Sequence, residues 1–163
     1  EQVRILASAR GLPLVEEAYD HAAWRAAVAG LEAEPEGGAR CARCFRFSLA
    51  RAAARAAATG CARYTTTLTV SPRKRSADVI DAGRATSGAA GFWELDFKKG
   101  GGFARGVAVS RSLGLYRQTF CGCEFSKEAP ARSLGRPPAA AGNSLAAEAP
   151  KGFNPHREEK HAE

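Results

Sequence analysis

Five cysteines, at positions 41, 44, 61, 121 and 123, are the residues of this chain best suited to chemistry. Cys41 and Cys44 form a C-x-x-C motif inside Arg40-Cys-Ala-Arg-Cys-Phe45, at the start of a predicted helix. Unpaired N–H groups and the positive dipole end of a helix N-terminus stabilise thiolates, and Arg40, Arg43 and Arg46 push the same way. Such a pair serves as a zinc half-site, as two ligands of an iron–sulfur cluster, or as a thioredoxin-like redox couple, and the motif alone leaves these open beside a chance pairing. Cys121-Gly122-Cys123 is a rarer spacing. A disulfide across one residue closes a tight ring away from relaxed geometry, is readily reduced, and suits redox use over a structural role; metal ligation is also compatible. The intervening glycine removes the Cβ that would crowd the ring. Cys61, alone after Gly60, is expected to be a small buried hydrophobe. A zinc site drawn from Cys41, Cys44, Cys121 and Cys123 is a further option, although the pairs lie far apart compared with compact zinc ribbons.

The rest of the titratable inventory offers less. His21 sits beside a helix cap, and His156 and His161 fall in the C-terminal stretch. Gly100-Gly101-Gly102 reads as a flexible loop and not as a nucleotide fingerprint. Lys and Arg outnumber Asp and Glu by 24 to 17, giving +7 and a pI near 9.5. Beyond residue 127 five basic residues balance five acidic ones, so the whole excess falls earlier, notably on Arg73-Lys74-Arg75, Lys98-Lys99, Arg105, Arg111 and Arg117. A basic globular part favours a polyanionic partner, against the plainer reading of charge that keeps an Arg-rich chain in solution. Hydrophobic residues at 45% and charged ones at 25% are the mix of a water-soluble globular domain. No apolar run nears the ~18–20 residues of a membrane span and no signal pattern opens the chain, so a cytoplasmic protein is expected.

The elements that must position these residues alternate in type. A helix over residues 1–10 is followed by a strand candidate at 14–19, and Asp20 caps a helix through Trp24, Val28 and Leu31. A long helix spans 41–59 and ends at Gly60. Tyr64–Val70, rich in β-branched residues, is the clearest strand; Ser76 caps the next helix; 92–97 is a second strand; a helix covers 103–113; and 115–120 is extended. Such alternation implies an α/β domain with a mainly parallel sheet covered on both faces, with ligands gathering at the carboxyl ends of the strands. The loops 71–75 and 96–102 both follow strands and belong on that edge. From residue 128 the chain turns to Ala, Pro, Gly and Ser without periodicity, so residues 1–127 are expected to form one domain and 128–163 a disordered tail.

Several stretches taken in order resemble the QueH family, the epoxyqueuosine reductases that work without cobalamin. They are Glu34-Pro-Glu-Gly-Gly with Arg40-Cys-x-x-Cys-Phe45; Tyr64-Thr-Thr-Thr-Leu68 with Ser71-Pro72; Asp96-Phe-Lys-Lys99; and Tyr116-Arg-Gln-x-x-Cys-Gly-Cys-x-x-Ser126. The resemblance covers about residues 1–126. It implies a Rossmann-like (HUP-like) fold and the last step of queuosine synthesis, two-electron removal of the epoxide oxygen from epoxyqueuosine at the wobble position of tRNA. It assigns Cys41 and Cys44 to a [4Fe-4S] cluster shared with an N-terminal Cys-Cys pair, allows a second metal ion nearby, and makes Cys121 and Cys123 a redox-active disulfide. This sequence shows no such Cys-Cys pair, nor the first strand and helix that should carry it, so an N-terminally truncated form of the family is expected.

The chemistry asks for two electrons and for capture of the departing oxygen. Tyr116 or Asp96 is a candidate proton donor, against plainer roles in packing and loop capping. Arg73, Lys74, Arg75, Lys98, Lys99 and Arg117 are expected to hold tRNA phosphates, around a base splayed from its single-stranded loop. The electron donor is not legible. The alternative from another class is a non-catalytic nucleic-acid-binding module with structural zinc.

Overall fold

The structure is a computed structural model, and it describes residues 1–118 and 120–128. The expected tail from residue 128 onward, with His156 and His161, lies outside the described residues apart from Glu128 itself. Among the described residues six helices and two short strands are formed: α1 (Gln2–Ala9), α2 (His21–Val28), α3 (Ala39–Ala58), β1 (Arg63–Tyr64), α4 (Ser76–Ala85), β2 (Gly91–Phe92), α5 (Gly102–Ser112) and α6 (Glu124–Glu128). Two 3-10 turns, Thr67–Val70 and Lys99–Gly101, complete the order.

The helices start where the local chemistry dictates. Asp20 accepts the Ala23 N–H at 2.9 Å and so caps α2, as its type and position predict. Ser76 proves to be the first residue of α4, with Arg75 at the cap position. Gly101, at φ 75°, leads into α5 from the left-handed region that glycine enters without strain.

The two strands pair in parallel, Arg63 beside Gly91 and Tyr64 beside Phe92. Chain order β1–α4–β2 is therefore a short parallel crossover, and the domain is of mixed α/β character. The core lies between α3 and α4: Phe45, Leu49, Val79 and Ala82 are buried together, with Cys41, Tyr64, Leu68 and Phe92 packed against them. Trp24 and Val28 bury the inner face of α2, which packs on α3.

The strands are much shorter than the sequence predicts, and hydroxyl chemistry is the reason. After Tyr64 the segment stays beside its partner, but threonine side chains take over from backbone pairing. Trp93 N–H still donates to Tyr64 O at 2.7 Å. Then Thr65 Oγ1 donates to Trp93 O at 2.8 Å, and Thr69 Oγ1 donates to Leu95 O at 3.0 Å while accepting the Phe97 N–H at 3.2 Å. Thr66 Oγ1 accepts from Leu68 N–H, which folds residues 67–70 into a 3-10 turn. The β-branched run signals threonine hydroxyls at work, where a long strand was expected. The 14–19 stretch is likewise not a strand: Val15 and Tyr19 are exposed, and the segment is tied down by Arg4–Glu16, Arg55–Glu17 and an Arg51 bond to Ala18 O. Residues 115–118 form no strand either.

Candidate active site

Helix α3 carries Cys41 in its first turn and Cys44 in its second. The Gly37 N–H donates to Cys41 Sγ at 3.2 Å, and the Trp24 indole N–H donates to Cys44 Sγ at 3.3 Å. Both contacts favour thiolate. The expectation that the helix N-terminus dominates is nevertheless corrected. Burial pushes both thiols up from their ordinary value, outweighing the N–H donors, and the neighbouring thiols Cys121 and Cys123 add to the rise. Two half-buried sulfurs in this state gain from a bound cation, which would stabilise the deprotonated forms.

Cys121 and Cys123 come to the same place from the far end of the chain. Two clefts meet there. One, of about 420 Å³, has Gly37, Cys41, Arg73, Lys74, Arg75 and Cys121 in its wall. The other, of about 530 Å³, is walled by Tyr19, Trp24, Cys44 and Arg51 together with Cys121 and Cys123. Cys121 belongs to both, and each cleft is in the size range of small-molecule sites. All four cysteines are present as free thiols. Among the described residues, no group of three or more Cys, His, Asp or Glu side chains comes together in a way that could hold a metal ion.

The C-x-C segment is docked by α6. Glu124 accepts from His21 Nε2 at 3.1 Å and from Arg25, both on α2, and Phe125 packs 6.0 Å from the Trp24 ring. Arg40 stacks over the same Phe125 ring at 4.6 Å and donates to the carbonyls of Leu31, Glu32 and Glu34. Arg40 is thus a buried strut joining the 31–38 loop to α6, a role its place among basic residues does not announce. Trp24 is the other residue at this site that sequence reasoning misses: its spacing marks a core position, and nothing in the sequence signals that its N–H reaches a cysteine.

The remaining candidates separate clearly. Lys74 Nζ lies 3.7 Å from Cys121 Sγ. Lys98 Nζ donates to Ser71 O and Lys74 O, at 3.1 and 2.6 Å, and so braces the 71–75 loop from within. Arg73, Arg75, Lys99 and Arg117 are exposed. Asp96 lies outside both clefts; partial burial works against its ionisation, but the Lys98 N–H at 3.1 Å and the Lys98 and Lys99 charges hold its carboxyl below the usual range. An ionised Asp96 accepts protons more readily than it donates them. Tyr116 is 64% exposed and also outside the clefts. Cys61 is exposed, a correction to its expected burial: it comes just after the end of α3 at Ala58, facing solvent beside Thr59.

A family profile described as epoxyqueuosine reductase QueH matches residues 1–129. The chain belongs to the QueH family. Among its relatives, the epoxyqueuosine reductase QueH of Thermotoga maritima is 40% identical over 105 residues, covering 63% of this chain and 55% of that protein. That of Streptococcus pyogenes is 38% identical over 101 residues, 61% of this chain and 40% of its own length. The Acinetobacter baylyi QueH is 33% identical over 129 residues, 77% of this chain and 59% of that protein. The chain therefore spans about half the length of these QueH relatives. The matched region contains all five cysteines and both basic loops.

Proposed function

We propose that this chain carries the dithiol and substrate-binding part of an epoxyqueuosine reductase, acting on tRNA in the last step of queuosine synthesis. The observation that carries this reading is the convergence at Cys121: a C-x-C pair stands in the wall between a cleft holding Cys41 under a basic loop and a cleft holding Cys44. The parallel β1–α4–β2 unit supports a Rossmann-like arrangement, with residues 1–127 as the working domain and 128–163 as an appendage. No helix among the described residues is long and apolar enough to cross a membrane.

The balance of the reaction suits these residues. Two thiols, those of Cys121 and Cys123, become a disulfide and give up two electrons and two protons. The epoxide C–O bonds break, an alkene forms, and the oxygen leaves as water. Arg73 and Arg75, exposed on the loop above Cys121, hold the phosphates of the anticodon loop. Cys41 and Cys44 match a [4Fe-4S] cluster in kind, being soft sulfur donors raised by burial, but not in number, since the described residues offer two ligands where such a cluster takes four. Cys41 and Cys44 are the residues that would hold it, and when bound it supplies single electrons. No step above depends on it.

The test is anaerobic incubation of the iron- and sulfide-reconstituted full chain with epoxyqueuosine-containing tRNA, with the nucleosides resolved by mass spectrometry. Formation of queuosine by the parent chain, its loss in Cys121→Ser, and retention of iron by that variant support the reading. A colourless protein that holds zinc, binds tRNA and leaves the epoxide intact returns the nucleic-acid-binding module.

A further inference from the structure

Glu36 stands at the corner of a turn whose backbone is held from several sides. The Gly38 N–H donates to Pro35 O at 3.0 Å and closes the turn, and its third residue, Gly37, lies at φ 91°, in the left-handed region that glycine enters without strain. Glu34 Oε2 accepts the Ala39 N–H at 3.0 Å, and a Cβ on Gly38 would lie 2.5 Å from that same oxygen, so the turn is packed onto the start of α3. The buried Arg40 guanidinium donates to the carbonyls of Leu31, Glu32 and Glu34. The Gly37 N–H donates to Cys41 Sγ at 3.2 Å, which fixes how far the turn stands from the thiols.

The Glu36 carboxylate takes part in none of these contacts. It is exposed in the wall of the cleft of about 420 Å³ and, among the described residues, forms no ion pair, although Arg73, Lys74 and Arg75 line the same cleft. The other carboxylate there, that of Asp78, is engaged with Arg75 in the first turn of α4. The cleft is graded from mouth to floor. Glu36, Arg73 and Arg75 are exposed, Cys41 and Cys121 are half-buried, and Phe45 is buried.

An unpaired acceptor on a fixed backbone is suited to reading donors, and the two oxygens of a carboxylate suit two donors side by side. Among the RNA bases, guanine alone presents adjacent N–H donors, N1–H and N2–H, on its Watson–Crick edge. Adenine and cytosine set one amino group beside an acceptor, and uracil has one N–H between two acceptors. A base splayed from a single-stranded loop leaves that edge open to such a contact. The base of epoxyqueuosine is of the guanine type, and its epoxide-bearing arm leaves the ring system on the side away from the Watson–Crick edge. With the arm among the thiols on the floor of the cleft, the edge comes to the mouth, where Glu36 stands. We propose that Glu36 selects the substrate base by accepting both N–H donors of a guanine-type Watson–Crick edge. The proposal rests on the reductase reading above and adds how the base is chosen and which way round it enters. The cations of the 73–75 loop remain for the phosphates.

The experiment measures binding of the full chain to two labelled anticodon stem-loops by fluorescence anisotropy. The loops differ only in carrying guanosine or inosine at the wobble position; inosine keeps N1–H and lacks the N2 amino group. The parent chain should bind the guanosine loop roughly tenfold more tightly, the worth of one hydrogen bond to a charged acceptor. Glu36→Ala should bind the two loops alike, with its thermal transition and the salt dependence of binding unchanged, since the phosphate contacts are left in place. Equal affinity of the parent chain for both loops, or an undiminished preference in folded Glu36→Ala, overturns the proposal. A Glu36-dependent preference in a chain that never forms queuosine keeps the base contact and rejects the reductase. Queuosine formation by a chain blind to the N2 amino group rejects the base contact alone.

Discussion

Two glycine-to-alanine substitutions test whether the packing under the cysteine helix is as tight as it looks. Gly83 is buried in α4, and a Cβ there would lie 2.6 Å from Phe92 Cγ and closer still to two other ring carbons. The ring cannot simply swing aside, since it packs edge-on to Tyr64 at 5.3 Å and against the core that seats α3. Gly106, in α5, would place its Cβ 3.9 Å from Val70 Cγ2, an ordinary contact. Replacing glycine by alanine inside a helix is worth about 1 kcal/mol on propensity alone. Overpacking a filled site costs about 1–3 kcal/mol. Gly106→Ala should therefore stabilise by about 1 kcal/mol, whereas Gly83→Ala should range from neutral to about 2 kcal/mol destabilising. For a domain of this size that separates the two variants by on the order of 4–12 °C in Tm, measured by circular dichroism on matched samples. Equal stabilisation by both would mean that the α4–Phe92 contact is slack and that the core does not fix α3.

Further outcomes follow from the site. Because burial raises the Cys41 and Cys44 thiols, their contribution to metal-free stability is fully present below the ordinary thiol value of 9.0 and is lost as pH rises through the higher folded values. Denaturant midpoints should therefore fall at alkaline pH, and a Cys41→Ser, Cys44→Ser double variant should flatten that fall. Removal of the Arg40 guanidinium leaves three carbonyls and a ring without their partner, so Arg40→Met should lose roughly 2–4 kcal/mol in chemical denaturation, and Arg40→Lys should recover little of it. Arg73→Ala with Arg75→Ala should lower the slope of log K against log salt for tRNA binding by roughly 1.5, at about 0.7–0.9 for each phosphate that is no longer neutralised. An unchanged slope would take this loop out of the interface.

Much of the architecture could be read from the residues, and the failures have identifiable causes. The cap at Asp20 and the extents of α3 and α5 follow local signals that the tertiary structure does not override, while α2 ends at Val28, three residues before the expected Leu31. The strand estimates failed because the Thr65–Thr69 run has two possible uses: β-branching favours extended backbone, and the hydroxyls offer bonds that replace the ladder. Composition cannot tell which prevails. Val15 and Tyr19 mimic a strand edge by type, while their segment is held by ion pairs from α1 and α3. For the site, the residues that the cysteine spacings single out line two adjoining clefts, and Lys74 of the basic loop 73–75 lies beside Cys121. The division of labour stayed hidden, since Lys74 approaches the sulfur while Lys98, from the 96–102 loop, props up residues 71–75 through side-chain bonds to carbonyls. Helix-end electrostatics also misjudged the state of Cys41, because they leave out the burial that only the folded core creates.

Trp24 bridges the supports of the two sulfur pairs. Its indole N–H rests on Cys44 while its ring leans on Phe125, two residues past Cys123, so one rigid side chain touches the mountings of both sulfur pairs. Helix α6, at five residues, is too short to hold a shape unaided, and its bearing is borrowed from α2 through this ring and the Glu124 contacts. A displacement of α2 would therefore shift the mounting of Cys121 and Cys123 against Cys41 and Cys44, which stay with the core on α3.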